Sequence, residues 1–186
     1  MDNKLEVFGI TGTNGSGKGT VVEFLKQKGF KHYSASELIL EEIVKLGLPQ
    51  NRDSMIMVGN KLRSEFGAGY IAEELIKRAK NDGEKAIIES IRTVGEIDNL
   101  KKAGGILLAV DANQKIRFES AIKRGSVKDN ITWEQFVEQE NIESESTDPN
   151  KQNLIACRNL ANDVINNDGT LTDLENQVND FIKKYE

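Results

Sequence analysis

The chain has 186 residues, of which 38% are hydrophobic and 30% charged, a composition typical of one soluble domain with a single buried core. One histidine and one cysteine exclude an internal disulfide and a zinc site built from these two residue types, so any metal must be held by oxygen ligands. The net charge of −5 and the absence of an apolar run near the roughly 20 residues of a membrane span argue against nucleic-acid and membrane partners, and we expect a cytoplasmic protein.

Short apolar runs alternate with helical patterns along the chain. The apolar runs predict five strands, at residues 7–10, 32–33, 86–88, 106–110 and 164–165. The helical patterns cover residues 20–28, 37–46, 53–66, 70–81, 94–102, 113–124, 133–140 and 171–184. Ser36 is the expected N-cap of the second helix, and residues 132–135 fit a capping box. Strands separated by helices predict an α/β fold with a parallel sheet covered on both faces.

Residues 125–150, called the acidic segment below, interrupt this alternation. They hold seven acidic residues against one basic residue, Lys128, so the segment carries a net charge of −6 and the rest of the chain +1. Its apolar side chains Trp133, Phe136 and Val137 give it something to pack. We therefore expect a mobile flap and not a separate domain, with a simple linker as the alternative.

A glycine-rich loop follows the first predicted strand and opens the first helix, the context that makes a phosphate-binding motif credible. Glycines allow positive φ angles and let phosphate oxygens approach several backbone N–H groups, while the helix N-terminus adds unpaired donors and partial positive charge. The loop therefore predicts a site for ATP with Mg²⁺, made by Gly12, Thr13, Asn14, Gly15, Ser16, Gly17, Lys18, Gly19 and Thr20.

Two side chains of this loop carry specific roles. Lys18 supplies a positive charge to the β- and γ-phosphates, and Thr20 is the hydroxyl expected to meet Mg²⁺. The common pattern has Ser or Thr directly after the lysine, whereas Gly19 stands there and Thr20 follows. An ordinary glycine-rich turn is the alternative to a phosphate site.

Phosphoryl transfer requires positive charge around the moving group, so arginines outside the loop are candidates. Glu89 ends the third predicted strand, where it could hold Mg²⁺, and Arg92 follows it, where it could bind the acceptor or take part in catalysis. An exposed carboxylate at a strand end is the alternative for Glu89.

Two further pairs of arginines are candidates. Arg117 and Arg124 lie seven residues apart, so both can lie on one helix face and close on the triphosphate as catalytic residues. Arg52 and Arg63 follow the second strand and could bind the acceptor. For all four, solvated helix arginines are the alternative.

The run Gly-Ser-Gly-Lys-Gly-Thr at residues 15–20 resembles the phosphate loop of nucleoside monophosphate kinases such as adenylate kinase, which share the Gly19-Thr20 order. Residues 110–112 after the fourth strand are also similar to that family. Residues 161–178 resemble dephospho-CoA kinase and its relatives, and residues 89–92 resemble the acid-Gly-Ile-Arg of dephospho-CoA-kinase-like proteins. The resemblance covers most of the chain and is most specific at residues 12–20.

The resemblance implies a three-layer P-loop NTPase fold with a five-stranded parallel core, a helical acceptor-binding insert and a lid. In this single kinase domain the core covers residues 1–34, 84–124 and 154–186, the insert about 35–83 and the lid about 125–153. It also implies a charge clamp made of Lys18, Arg92, Arg117 and Arg124. The lid departs from the family pattern, because nucleotide-kinase lids are rich in arginine and this one is acidic.

The acceptor is the least defined part of the prediction. Dephospho-CoA kinase transfers to a hydroxyl and carries an Asp after the second strand as a base; this chain has Ser34, Ser36 and Glu37 there, which look more like the acceptor helix of nucleotide kinases. These three residues, with Arg63 and Arg92, are the predicted acceptor-binding set, although Glu37 could still serve as a base. A small-molecule phosphate acceptor, a nucleoside or deoxynucleoside monophosphate, is favoured.

Two other functions stay open from the sequence. The same site could transfer phosphate to the hydroxyl of a CoA precursor or another alcohol. Alternatively, the chain could be a nucleotide-dependent switch with weak ATPase activity and no small-molecule acceptor, since a fold alone does not define function.

Overall fold

The computed structural model describes residues 6–83, 85–125 and 131–185. Residues 1–5, 84 and 186 of the predicted core and residues 126–130 of the predicted lid lie outside this range. In the described part of the chain, none of the helices combines the length and apolar character that crossing a membrane requires.

The described residues form one five-stranded sheet. Its strands are β1 (Val7–Thr11), β2 (Lys31–Ser34), β3 (Ala86–Glu89), β4 (Ile106–Asp111) and β5 (Asp163–Asn166). The spatial order is β2-β3-β1-β4-β5, and each neighbouring pair is parallel. The predicted α/β class and the five predicted strands are therefore confirmed.

Helices connect these strands. They are α1 (Lys18–Gln27), α2 (Ala35–Lys45), α3 (Arg52–Phe66), α4 (Tyr70–Asp82), α5 (Val94–Lys102), α6 (Gln114–Arg124), α7 (Trp133–Ser144), α8 (Leu154–Asn159) and α9 (Leu171–Tyr185). The acidic segment contains α7, whose predicted capping box between Thr132 and Gln135 is present.

Each face of the sheet has its own apolar core. On one face, Phe8 and Ile10 of β1 pack with side chains of α1 and α9, among them Leu25 and Phe181. On the other face, the core is built from α2, α3, α4 and α5 together with Cys157 of α8. Cys157 is fully buried in α8, and burial raises the pKa of its thiol to about 12.

Several helix boundaries differ from the sequence prediction. Helix α2 begins at Ala35, and its N-cap is Ser34, whose Oγ accepts a hydrogen bond from the Glu37 N–H at 3.3 Å. The predicted N-cap, Ser36, is wrong because β2 runs directly into the helix. Helix α1 begins two residues earlier than predicted because the left-handed Gly17 ends the loop, and α7 extends to Ser144.

The topology fixes where a ligand can bind. The chain leaves β1 toward one edge of the sheet to form β2, and leaves β3 toward the other edge to form β4. A crevice therefore opens at the carboxyl end of β1, the place where open α/β sheets bind ligands. The loop of residues 12–17 lies at this point, beside the end of β3.

Candidate active site

The backbone of the loop between β1 and α1 is shaped by glycine. Gly15 has a φ angle of 76° and Gly17 one of 96°, both in the region that side chains disfavour. A β-carbon at Gly15 would collide with the backbone carbonyl of Arg117, and one at Gly17 with the side chain of Asn167. The loop therefore accepts only glycine at these two points without rearrangement.

The loop has unused hydrogen-bonding groups. Gly17, the N-cap of α1, supplies no side-chain cap, and the first turn of the helix holds no acidic residue. The hydroxyls of Thr13 and Ser16 are buried and find no hydrogen-bond partner among the described residues. Free donors at a helix N-terminus fit the oxygens of a polyphosphate.

Lys18 lies within this loop and bonds to its backbone. Its Nζ donates to the carbonyl oxygens of Gly12 at 2.8 Å and Thr13 at 2.7 Å. Burial, with the nearby charge of Arg92, lowers the pKa of Lys18 to about 7. Among the residues that the structure describes, its hydrogen bonds go to carbonyl oxygens and not to a carboxylate, so phosphate oxygens can serve as its anionic partner.

The turn after β3 is strained and tied to β1. Ser90 has a φ angle of 71°, a left-handed conformation that is unfavourable for a residue with a side chain. The backbone N–H groups of Ser90 and Ile91 both donate to the carbonyl of Ile10 at 3.0 Å, and Thr11 donates to the Ile91 carbonyl at 2.7 Å. These bonds hold the turn that carries Glu89 and Arg92.

Glu89 is paired with His32, the only histidine of the chain, across the β2–β3 edge. His32 Nε2 and Glu89 Oε2 lie 2.8 Å apart, although 57 positions separate them in the sequence. Burial alone would raise the pKa of Glu89, but the bond to His32 and the charge of Lys18 outweigh it and lower that pKa. The sequence offered no acid near His32, so this pair appears only in the fold.

Arg92 is positioned by an acid that also binds a second arginine. The Arg92 N–H donates to Glu96 Oε2 at 2.7 Å, while the other oxygen of Glu96 accepts from Arg63 Nε at 2.8 Å. Arg63 and Glu96 are each only 1% exposed. The predicted acceptor residue Arg63 therefore holds the turn that carries Arg92, although its side chain also lines the central cavity described below.

A carboxylate of the acidic segment lies between two arginines. Glu143 of α7 accepts from Arg52 Nη2 at 2.5 Å and from Arg92 Nη1 at 3.0 Å, and Arg92 Nη1 also contacts Gln152 Oε1 at 2.5 Å. Burial would raise the pKa of Glu143, but Arg92 and Arg52 lower it, so the carboxylate is ionised. Three groups distant in sequence meet here as one ionic cluster.

The other two predicted arginines also meet the acidic segment or the loop. Arg117 is buried, donates to the Ala112 carbonyl at 2.8 Å and forms an ion pair with Glu140 of α7. Arg124 Nη2 donates to Asn14 Oδ1 at 2.9 Å, which connects the end of α6 to the loop. The predicted clamp of Lys18, Arg92, Arg117 and Arg124 thus surrounds the loop.

The loop, the end of β3 and helices α2 and α3 enclose one cavity of about 390 Å³, within the size range of small-molecule sites. Lys18, Glu89, Arg92 and Arg124 line it together with Arg52, Arg63, Glu143 and Gln152. Another wall is apolar and consists of Ala35, Ile39, Met55 and Ile56.

The three predicted residues at the start of α2 separate in the structure. Ser36 lines the cavity, and the Ser34 hydroxyl serves as the helix cap. Glu37 is exposed and lines a shallow groove on the outer face of α2 with Leu40 and Val44. This placement disfavours Glu37 as a base.

Sequence reasoning missed Glu143 and Gln152 and gave Arg52 no firm role. A weak signal for Glu143 was the excess of acid in residues 125–150, and nothing in the sequence marks the neutral Gln152. In the sequence, Glu140 and Glu143 are spaced so that they share one helix face. That shared face, on the segment predicted to be a flap over the phosphate site, is the only local indication that these acids belong to the site.

Comparison with known proteins identifies the family of this chain. Residues 11–137 match the family model described as the AAA domain. The UPF0200 protein of Thermococcus sibiricus is 32% identical over 134 residues, which cover 68% of this chain and 70% of the relative.

Solved structures share the fold. The crystal structure of TT1252 from Thermus thermophilus covers 98% of both chains with a TM-score of 0.65 and 19% identity. Shikimate kinase from Acinetobacter baumannii, in complex with shikimate, covers 98% of this chain and 95% of its own with a TM-score of 0.59 and 17% identity. These likenesses concern the fold alone. The chain contains an AAA domain and belongs to the UPF0200 protein family, as the matched family model and the relative from Thermococcus sibiricus show.

Proposed function

We propose that this protein transfers the γ-phosphoryl group of ATP to a nucleoside or deoxynucleoside monophosphate. One observation carries the proposal: Lys18 of the phosphate loop lines the same cavity as Arg52 and Arg92, whose guanidinium groups share a single carboxylate. A site that holds an anion between two arginines, next to a triphosphate site, fits transfer from one phosphate to another.

The donor side is the loop. Its backbone N–H groups and Lys18 would hold the triphosphate. The buried hydroxyls of Thr13 and Ser16 would donate hydrogen bonds to further phosphate oxygens. The Thr20 hydroxyl and the Glu89 carboxylate supply the oxygen ligands that Mg²⁺ prefers, directly or through water. When bound, Mg²⁺ would neutralise charge on the β- and γ-phosphates.

The acceptor side is the rest of the cavity. Arg52 and Arg92 would hold the phosphate of the acceptor, and the wall that contains Ile39 and Met55 suits a flat apolar ring such as a nucleobase. Ser36 lies at the same wall and offers a hydroxyl. A phosphate acceptor is already an anionic nucleophile, so the site needs alignment more than a base.

Charge stabilisation during transfer falls to the arginines at the edge of the loop. Arg124 lines the cavity and bonds to Asn14 of the loop, so it would reach the moving phosphoryl group directly. Arg117 contacts Gly15 through its backbone and pairs its side chain with Glu140, so it would act by supporting the loop. The acidic segment would act as the lid: its α7 already reaches across the cavity. Closure would exclude water and prevent hydrolysis of ATP.

A second candidate is transfer to a hydroxyl acceptor, favoured by the placement of Glu89. Its carboxylate lines the cavity, is ionised and bonds to His32, the arrangement expected of a general base. The variant Glu89→Gln separates the two candidates. If Glu89 is the base for a hydroxyl acceptor, the variant loses turnover but still binds ATP in the absence of Mg²⁺. If the acceptor is a phosphate, the variant mainly needs a higher Mg²⁺ concentration for turnover.

The test is ADP release from ATP–Mg²⁺ against a panel of nucleoside and deoxynucleoside monophosphates, with dephospho-CoA and shikimate as hydroxyl acceptors. We expect one monophosphate to stimulate ADP release strongly and Arg92→Ala to weaken that stimulation. Stimulation only by a hydroxyl compound would support the second candidate. A flat, slow rate across the panel would refute both and favour a nucleotide-dependent switch.

A further inference from the structure

The cluster of Arg52, Arg92 and Glu143 has the form of an occupied anion site. Two guanidinium groups hold one carboxylate, so the cluster carries a net charge of +1. A carboxylate is the closest protein equivalent of a phosphate oxygen pair, because arginine binds both through parallel N–H bonds. Glu143 therefore takes the position that an acceptor anion needs.

Unused donors remain around this carboxylate. Arg52 Nε and Arg63 Nη2 are buried, and neither has a hydrogen-bond acceptor among the described residues. Both side chains line the cavity that contains Glu143. Glu143 has two oxygens, whereas a phosphate monoester has three terminal oxygens and nearly two negative charges, so a monoester can satisfy more of these donors.

The helix that carries Glu143 is held by few apolar contacts. Of the residues of α7, only Phe136 and Glu143 are buried, while Ile142 is 62% exposed. At its start, Trp133 and Phe136 pack on Phe118 of α6, and farther along Glu140 pairs with Arg117 and accepts from Gln114 Nε2 at 2.6 Å. Releasing Glu143 would therefore expose little apolar surface, and the helix can exchange one set of partners for another.

We propose that Glu143 competes with the acceptor for Arg52 and Arg92. Only a ligand that binds these arginines tightly can displace it, so a phosphate monoester does and a carboxylate does not. The inference rests on the proposed function, since it takes Arg52 and Arg92 as the acceptor arginines. A carboxylate ligand matches Glu143 in charge and shape but lacks its tether, so it loses the competition. A dianionic monoester brings more charge and a further oxygen, so it wins.

A titration of the full-length protein with inorganic phosphate and with acetate tests this inference. The β,γ-imido analogue of ATP with Mg²⁺ fills the phosphate loop beforehand, so that added phosphate reports on the acceptor side. Trp133, the only tryptophan of the chain, lies at the start of α7 against Phe118 and Phe136, and its fluorescence reports movement of this helix. Calorimetry gives the same dissociation constants without relying on that movement.

The decisive variant is Glu143→Gln, which removes the charge and keeps the shape. A competitor lowers the apparent affinity of every ligand by one common factor, so its removal tightens phosphate binding about tenfold and acetate binding by the same factor. Acetate binding, too weak to detect in the unaltered protein, then becomes measurable. Glu138→Gln, on the exposed side of the same helix, is the matched control and leaves both titrations unchanged.

Two results would overturn the inference. Weaker phosphate binding in Glu143→Gln would mean that the carboxylate positions the arginines for the ligand; unchanged binding would mean that it does not share their site. Glu143→Asp, which keeps the charge on a shorter side chain, is the second variant if the first does not fold, and it should tighten phosphate binding by a smaller factor.

This experiment is separate from the test of the proposed function, because it measures binding and needs no turnover. Competitive phosphate binding in a protein that transfers nothing would refute the kinase proposal and leave the role of Glu143 intact. Transfer to a nucleotide, together with unchanged phosphate affinity in Glu143→Gln, would support the kinase proposal and refute the competition by Glu143.

Discussion

The phosphate loop and the acidic segment face the same cavity but are built in opposite ways. The loop is a continuous run, residues 12–20, whose hydrogen-bond donors are mostly its own backbone. The acidic segment contributes isolated side chains whose partners lie far along the chain: Glu143 is 51 residues from Arg92 and 91 from Arg52. The binding groups of the loop are therefore set by one local run of residues, whereas those of the acidic segment come together only when the whole chain folds.

The difference also concerns charge. In the loop, Lys18 Nζ donates to two backbone carbonyl oxygens, which leaves room for an anion beside it. In the acidic segment, Glu140 and Glu143 already neutralise Arg117, Arg92 and Arg52. We infer that the donor side is open to its ligand, whereas on the acceptor side Glu143 occupies the arginines. The acceptor and the acidic segment therefore compete for these arginines.

The largest effect is expected from a substitution on the donor side. Lys18→Ala removes the only basic side chain of residues 12–20 and should lower kcat/KM for phosphoryl transfer by roughly 10³-fold, in the range of lost transition-state donors. Steady-state ADP release measures it. Lys28→Ala, an exposed lysine just after α1, is the control. Equal losses in both variants would remove Lys18 from the mechanism.

A smaller effect is expected on the acceptor side. Arg92→Ala should lower kcat/KM for the acceptor about a hundredfold, because a charge-assisted bidentate contact is lost, and should leave the affinity for ATP nearly unchanged. Arg92→Lys should recover only part of the loss, since an ammonium group cannot form the fork.

The control for Arg92 is Arg78→Ala, which removes an exposed arginine of α4 that pairs with Glu41. Initial rates at varied acceptor and fixed ATP separate the two sites. An Arg92→Ala protein with weakened ATP binding and normal acceptor binding would contradict the assignment of sides.

The acidic segment should show its role in the pH dependence of stability. The arginines lower the pKa of Glu143 below its usual value of 4.5, so its stabilising contribution is complete above pH 4.5 and is lost as pH falls through its lower, folded-state pKa. Glu143→Gln should cost about 2 kcal/mol of unfolding free energy at neutral pH, a typical value for hydrogen bonds to charged groups.

Urea unfolding between pH 3 and pH 7, with wild type, Glu143→Gln and Glu138→Gln, measures this contribution. The difference between wild type and Glu143→Gln should shrink toward acidic pH, while Glu138→Gln follows wild type throughout. A difference that is independent of pH would mean that the carboxylate charge contributes nothing to the contact.

The smallest effect concerns the turn that joins the two sides. Ser90 has a φ angle of 71°, so Ser90→Gly should stabilise the protein by about 1 kcal/mol through relief of backbone strain. Ser64→Gly makes the same chemical change at an exposed position inside α3 and should destabilise by about 0.5–1 kcal/mol. Thermal melts compare them, and the same sign in both variants would contradict the strain at Ser90.

The sequence predicts the parts of this molecule that depend on neighbours in the chain. The five strands follow from short apolar runs, the loop from its glycines and Lys18, and the capping box from Thr132 and Gln135.

What depended on distant contacts was not predictable. His32 meets Glu89 because β2 and β3 are adjacent in the sheet, and no local pattern fixes that order. Arg63 looked like a surface or acceptor residue, but a buried Glu96 captures it. Ser34 and not the predicted Ser36 is the N-cap, because β2 runs directly into α2, and no local pattern shows where that strand ends.

The most direct test of the kinase proposal follows the γ-phosphoryl group itself. ATP labelled at the γ-phosphate is incubated with Mg²⁺, the protein and each nucleoside monophosphate, and the label is traced to the acceptor or to inorganic phosphate. We predict that the label appears in a nucleoside diphosphate made from one acceptor and that Arg92→Ala suppresses this product. Label found only in inorganic phosphate, at a rate that no acceptor changes, would contradict the proposed function.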